Sequence, residues 1–229
     1  MSTLAERLRD VHNRIESACS QAGRSASDVE LIVITKNHPA ALVLDLARLG
    51  QDQFGENRDQ EASAKAKEVA KELGAEQAVW HFVGQLQSNK VRSVLEYASF
   101  IHSLDRPSLL TELAKQLAKT PEKTIGVFVE LNLTDDQNRG GIQPSNLLEF
   151  AESVLAISQL NLLGVMGVAS LEKAAEHDFE LIAKASDSLR SLNPGSRYIS
   201  AGMSGDFETA IVFGATHIRV GTAITGKRA

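Results

Sequence analysis

The chain has 229 residues, of which 43% are hydrophobic and 23% charged, and its formal net charge is −5. That is the balance of an ordinary globular chain long enough to bury a large core, and a mildly acidic surface without a basic block argues against nucleic acid as a partner. One cysteine, Cys19, excludes an internal disulfide and a cysteine-based zinc site, and the six histidines show no metal-ligand spacing.

The N-terminus has no apolar core of a signal peptide, and no apolar run is long enough to span a bilayer, so a cytoplasmic protein without a membrane segment is expected. From Leu4 the apolar positions Leu8, Val11, Ile15 and Cys19 form a helical stripe that ends near Gly23, and Cys19 reads as a buried thiol on it. Leu31-Ile32-Val33-Ile34-Thr35-Lys36 reads as a strand buried on both faces and stopped by Pro39. A helix over residues 40–49 follows, then a short strand carrying Phe54-Gly55-Glu56-Asn57. The segment 58–73, rich in Ala, Lys and Glu, reads as an exposed helix closed by Gly74.

Strands then alternate with helices. Further strands are predicted at 79–86, 100–105, 124–133, 162–168, 198–203 and 217–220. The intervening helices start near Ser88, Pro107, Pro144, residue 171 and Ser204. Eight strands in one chain of this length, with no linker dividing it, predict a single-domain (β/α)8 TIM barrel over residues 1–229 with an extra N-terminal helix. A doubly wound sheet fits the alternation less well, because it usually has fewer strands. Lys227-Arg228, the only basic cluster, reads as a solvated tail.

In such a barrel the site is built at the C-terminal ends of the strands. Those ends are Lys36, Asn57, Gly84-Gln85, residues 103–106, the Asn132 loop, Met166-Gly167, Gly202-Met203-Ser204 and Gly221-Thr222. A lysine leaving a buried strand either snorkels to solvent or, if desolvated, becomes a neutral amine able to form a Schiff base. The pairs after the seventh and eighth strands offer hydroxyls and backbone N–H groups to a phosphate, or are simply capped turns. Strand alternation puts His217, Arg219 and Gly221 on one face. Arg219 then meets either a cofactor ring nitrogen or carboxylate, or a structural partner such as Glu56 or Glu130. An amine, a phosphate cup and an inward arginine together suggest pyridoxal phosphate. His81 in its apolar strand reads as a core histidine before a catalyst, and His102 could pair with Asp105.

Four motifs make a closer comparison: Thr35-Lys36-Asn37-His38-Pro39, Phe54-Gly55-Glu56-Asn57, the run from Trp80 to Lys90, and Ser200-Ala-Gly-Met-Ser-Gly-Asp206 with Arg219-Val-Gly-Thr-Ala223. With these the sequence resembles the pyridoxal phosphate homeostasis proteins, small barrels like the one in alanine racemases but without the racemases' additional β-domain. The resemblance implies that Lys36 forms an aldimine with pyridoxal 5′-phosphate, that Ser204, Gly221 and Thr222 hold the phosphate, that Arg219 faces the pyridine nitrogen and that Asn57 lies against the ring. His81 and Met166 complete the candidate cofactor-binding set, with no catalytic residue and no metal.

The implied role is buffering or delivery of the cofactor, with effects on amino-acid and keto-acid balance and apo-enzymes dependent on the cofactor as recipients, by a monomer or weak dimer. The alternative is an amino-acid racemase or decarboxylase. Racemisation generally needs a second acid/base, and Tyr97 and Tyr198 are predicted away from the strand ends. A Schiff-base aldolase is a more distant rival. Three departures from the family stand out: Ala201 where methionine is common, Thr225 where an aromatic is common, and Arg139-Gly140-Gly141 where a lysine-containing loop is usual. None is expected to touch the lysine or phosphate motifs.

Overall fold

The computed structural model describes residues 2–134, 140–170 and 175–226; Arg139 and the Lys227-Arg228 tail lie outside them. Helix α1 (Leu4–Gln21) starts at a capping box. Glu6 N–H donates to Thr3 Oγ1 at 3.2 Å, and Thr3 N–H donates to Glu6 Oε2 at 2.7 Å. Its buried stripe of Leu8, Val11, Ile15 and Cys19 is the one the sequence spacing predicts, and Cys19 is buried as expected.

Strands and helices then alternate as β1 (Glu30–Ile34), α2 (Ala40–Arg48), β2 (Gln53–Glu56), α3 (Asp59–Leu73), β3 (Val79–Phe82), α4 (Val91–Tyr97), β4 (Phe100–Leu104) and α5 (Pro107–Leu117). They continue as β5 (Ile125–Glu130), α6 (Leu147–Leu155), β6 (Leu160–Met166), α7 (Ala175–Leu192), β7 (Tyr198–Ser200), α8 (Phe207–Val212), β8 (His217–Val220) and the short α9 (Thr222–Thr225). All neighbouring strands pair in parallel, and β8 returns to β1 with Ile32 opposite Arg219, closing the barrel. The expected (β/α)8 barrel with an N-terminal helix is therefore observed. Among the described residues no helix is long and apolar enough to cross a membrane.

Most strands but not β8 are shorter at their exits than hydropathy alone predicts, and close backbone contacts explain where two of them stop. β3 ends at Phe82, because the chain at Gly84 crosses over Asn57 so tightly that a Cβ on Gly84 would lie 2.3 Å from Asn57 O. β7 ends at Ser200 because Gly202, at φ +92°, turns the chain, and its carbonyl accepts from Arg219 N–H at 2.9 Å. β1 ends at Ile34, so Lys36 leaves in a turn rather than in the strand.

Strand alternation separates two compartments. Leu31 and Val33 of β1 and Ile218 and Val220 of β8 join the apolar layer under the helices, and α1 packs over α8 and α9. Residues of opposite parity point into the barrel, where Ile32 and Phe128 share the space with a set of buried polar side chains.

Candidate functional site at the barrel mouth

Lys36 sits in a four-residue turn in which His38 N–H donates to Thr35 O at 3.1 Å. Asn37 takes φ 61°, a left-handed conformation that asparagine accepts better than most residues. Helix α3 clamps this turn on both sides of Lys36. Lys65 Nζ donates to Thr35 O at 2.8 Å, and Asn37 N–H donates to Glu61 Oε1 at 2.5 Å.

Lys65 and Glu61 are one helical turn apart and pair at 3.0 Å. Lys65 also meets Glu56 Oε1 at 2.5 Å, and the same oxygen accepts from Thr35 Oγ1 at 2.6 Å. Burial raises the Glu56 carboxyl, while the Lys65 and Thr35 bonds pull it back. Sequence reading missed Lys65 and Glu61, because an Ala/Lys/Glu-rich segment looks solvated. Lys36 itself is half-buried, less enclosed than a lysine at the end of a two-faced strand is expected to be.

The mouth holds a cavity of about 290 Å³. Lys36, Ser204, Arg219, Gly221 and Thr222, five of the eight candidate residues, line it together. Ser204 ties the seventh and eighth strand exits together: its Oγ accepts from Gly221 N–H at 3.2 Å and from Ala223 N–H at 3.4 Å. His38, Met203 and Thr225 also line the cavity and were not among the candidates. Thr225 corrects one expectation, since this departure from the family stands in the same wall as Lys36. Gly140, beside the undescribed Arg139, faces Asp105 and Gln85, its Cβ position lying 3.2 Å from Asp105 Oδ2 and from Gln85 Nε2.

The other three candidates lie off this cavity wall. Asn57 follows β2 at the level where Lys36 leaves β1, as the pairing of Ile34 with Gly55 sets the register. Met166 is buried at the end of β6, opposite Glu130. His81 lies deeper: its Nε2 is 2.8 Å from Gln53 Oε1 and its Nδ1 is 2.9 Å from His102 Nε2, so both ring nitrogens are used inside the barrel. The suggested pairing of His102 with Asp105 is also corrected. His102 Nδ1 is 2.7 Å from Ser200 Oγ, and Asp105 pairs with Arg106 at 2.5 Å.

Arg219 points inward as alternation predicts. Its Nη1 donates to Ser200 Oγ at 2.6 Å and its Nη2 to Gly167 O at 3.0 Å, rather than to Glu56, which is taken by Lys65. Burial lowers its pKa to about 10, with Glu130 and Asp206 opposing the shift through space, so it stays charged at neutral pH. The site thus combines a clamped amine, a small-residue cup between two strand exits and a buried cation beneath them.

The profile of the alanine racemase N-terminal domain matches residues 9–229. A protein of Escherichia coli (strain K12), named pyridoxal phosphate homeostasis protein, is 36% identical over 232 residues, covering 100% of this chain and 98% of that protein. The chain belongs to the pyridoxal phosphate homeostasis protein family. A second relative in this family, from Pseudomonas aeruginosa, carries the same name and is 38% identical over 231 residues, covering 100% of this chain and 97% of that protein. The family barrel also appears in PipY of Synechococcus elongatus, solved with pyridoxal phosphate bound. It superposes with a TM-score of 0.83 at 32% identity over 98% of this chain and 100% of PipY.

Proposed function

We propose that this chain binds pyridoxal 5′-phosphate at the barrel mouth, holds it by a reversible Schiff base at Lys36 Nζ, and acts as a carrier in intracellular pyridoxal phosphate homeostasis rather than as an enzyme. The observation that carries this reading is the convergence of Lys36, Arg219 and the Ser204–Gly221–Thr222 cup on one cavity of about 290 Å³. The donor set fits the group's chemistry: an amine for the aldehyde, hydroxyls and bare backbone for the phosphate, and a cation for the ring nitrogen. That PipY holds the same cofactor at 32% identity supports the reading.

When bound, the cofactor supplies an aldehyde that condenses with an amine, releasing one water, and an electron-accepting ring. The protein's own residues fix how far that reactivity goes. The Thr35–His38 turn, gripped by Lys65 and Glu61, holds Lys36 in the cavity wall. Ser204, Gly221 and Thr222 would hold the phosphate and Asn57 would meet the ring, while His81 and Met166 would act from the barrel interior behind the cavity wall. A guanidinium with a pKa of about 10 does not hand its proton to a pyridine, so a ring facing Arg219 would be a weak electron sink.

A second acid/base of the tyrosine type is displaced from the mouth. Tyr97 ends α4 with its hydroxyl buried, and Tyr198 opens β7 against His217, 5.4 Å between ring centres. Both features favour a carrier over a racemase or decarboxylase. The reading includes a cytoplasmic setting, apo-enzymes as recipients and a monomer or weak dimer.

The test is the visible spectrum of the purified protein before and after borohydride, with peptide mapping of the reduced adduct. A yellow protein labelled on Lys36 is expected, without amino-acid turnover. Lys36→Ala is expected to lose the label and keep residual affinity through the phosphate cup. A protein that takes up no pyridoxal phosphate refutes the reading, and turnover of an amino acid by the loaded protein replaces the carrier with an enzyme.

A further inference from the structure

The barrel interior below the mouth is unusually polar. Such barrels are filled mainly by branched apolar side chains, yet here Gln53 of β2, His81 of β3, His102 of β4, Ser200 of β7 and Arg219 of β8 adjoin one another. All but Gln53 are buried, His102 and Ser200 completely. They form one unbroken chain of contacts. Arg219 Nη1 to Ser200 Oγ is 2.6 Å, Ser200 Oγ to His102 Nδ1 is 2.7 Å, His102 Nε2 to His81 Nδ1 is 2.9 Å, and His81 Nε2 to Gln53 Oε1 is 2.8 Å.

The Gln53 end sets the direction of every bond. Its amide oxygen only accepts, so a neutral His81 carries its hydrogen on Nε2 and donates there, which leaves Nδ1 to accept from His102 Nε2–H. His102 then accepts the single Ser200 proton at Nδ1, and the serine oxygen takes the Arg219 N–H. In this arrangement a positive charge on His81 would turn its Nδ1–H against the His102 Nε2–H. Burial disfavours that charge as well, lowering His81 to about 3 and His102 well below the usual histidine range. Phe100 and Phe128 stack on the two rings, at 4.6 Å from His81 and 4.5 Å from His102, leaving little room for them to turn.

We propose that Ser200, His102, His81 and Gln53 are positioning residues for Arg219, a one-directional hydrogen-bond chain through the barrel that braces the guanidinium from below while it faces the mouth. The inference rests on the reading that Arg219 meets the ring nitrogen of pyridoxal phosphate. Among the described residues two struts hold the Arg219 head from below and beside it, Ser200 Oγ and Gly167 O. Ser200 is the strut that a side-chain change can remove. Ser200→Ala leaves one Arg219 N–H without its acceptor and His102 Nδ1 without its donor, and the guanidinium can then swing away from the nitrogen it serves.

The experiment compares two ligands, pyridoxal phosphate and its 1-deaza analogue, which keeps the aldehyde and the phosphate and replaces the ring nitrogen with CH. Ser200→Ala is expected to weaken pyridoxal phosphate by about tenfold, the loss of one hydrogen bond to a charged group, and to change the deaza analogue by no more than about twofold. Ser200→Thr, which keeps the hydroxyl, is expected to restore the difference. Equal losses for both ligands, or none for either, overturn the proposal. A wild-type protein that binds neither ligand sinks the cofactor reading and this inference with it, an outcome distinct from the other two.

The chain can be read without any ligand by nitrogen-15 NMR of the imidazoles in the wild-type protein. Both His81 and His102 are expected as neutral Nε2–H tautomers that do not titrate across the histidine range. An Nδ1–H tautomer at either ring, or a titration there, overturns the chain whatever the variants do.

Discussion

Gly84 shows how a residue without a side chain positions one that has chemistry. The chain after β3 passes over Asn57, and a Cβ at Gly84 would stand 2.3 Å from Asn57 O and 2.7 Å from Asn57 Cα. These are backbone atoms, so they cannot step aside as the tip of a side chain can. Gly84→Ala is therefore expected to destabilise the protein by about 1–3 kcal/mol and to shift Asn57 at the mouth. Urea denaturation measures the first effect, and an unchanged midpoint would show that the crossing is slack. At this scale the sequence reveals some residues and hides others. Lys36, Ser204, Arg219, Gly221 and Thr222 are legible because strand ends and period-two alternation place them at the mouth. Gln53, Ser200 and the bonding of His102 are not, because their partners come from strands 19 to 98 residues away. Thr225 was legible as a departure from the family but not as part of the wall, because the short α9 gives no periodicity to read.

Helix α3 reads as a solvated element, and its composition hides a buried stripe. Ala62, Lys65, Ala66 and Val69 fall on one face, and Lys65 is only 4% exposed. The signal was present in β2, where a fully buried Glu56 requires a counter-charge from whatever covers it. Because the lysine meets Glu56, Glu61 and the Thr35 carbonyl together, the helix acts as a latch on the Lys36 turn. Removing one side of a buried pair costs more than the pair contributes, since the other charge is left uncompensated. Lys65→Met is expected to cost about 3–5 kcal/mol in urea denaturation. Adding Glu56→Gln is expected to recover part of that loss, and strictly additive losses would mean that the two groups do not depend on each other. A second readout separates latch from scaffold. The Lys65→Met protein should form its borohydride-reducible adduct more slowly than Lys36 does in the intact turn.

Across the whole molecule, the buried imidazoles make stability depend on pH in a definite direction. Burial lowers His81 to about 3 and His217 to about 4, and holds His102 well below its ordinary value. In the unfolded chain each takes up a proton near pH 6.5. Below that pH the unfolded state binds more protons than the folded state, so the unfolding free energy falls as pH drops. It goes on falling until the folded imidazoles themselves titrate. Glu30 and Glu56, whose carboxyls burial raises, work in the opposite sense at lower pH and blunt the fall. Between pH 7 and pH 5.5 the three histidines give an expected loss of roughly 4 kcal/mol, measured by urea denaturation at the two pH values. A flat or rising profile would mean that these rings accept protons inside the fold. Their depth adds a second condition, because His81, His102 and His217 lie beneath the mouth rather than in its wall. The acid loss should therefore persist unchanged in Lys36→Ala, where no covalent ligand is held, and should reflect the barrel interior rather than release of a cofactor.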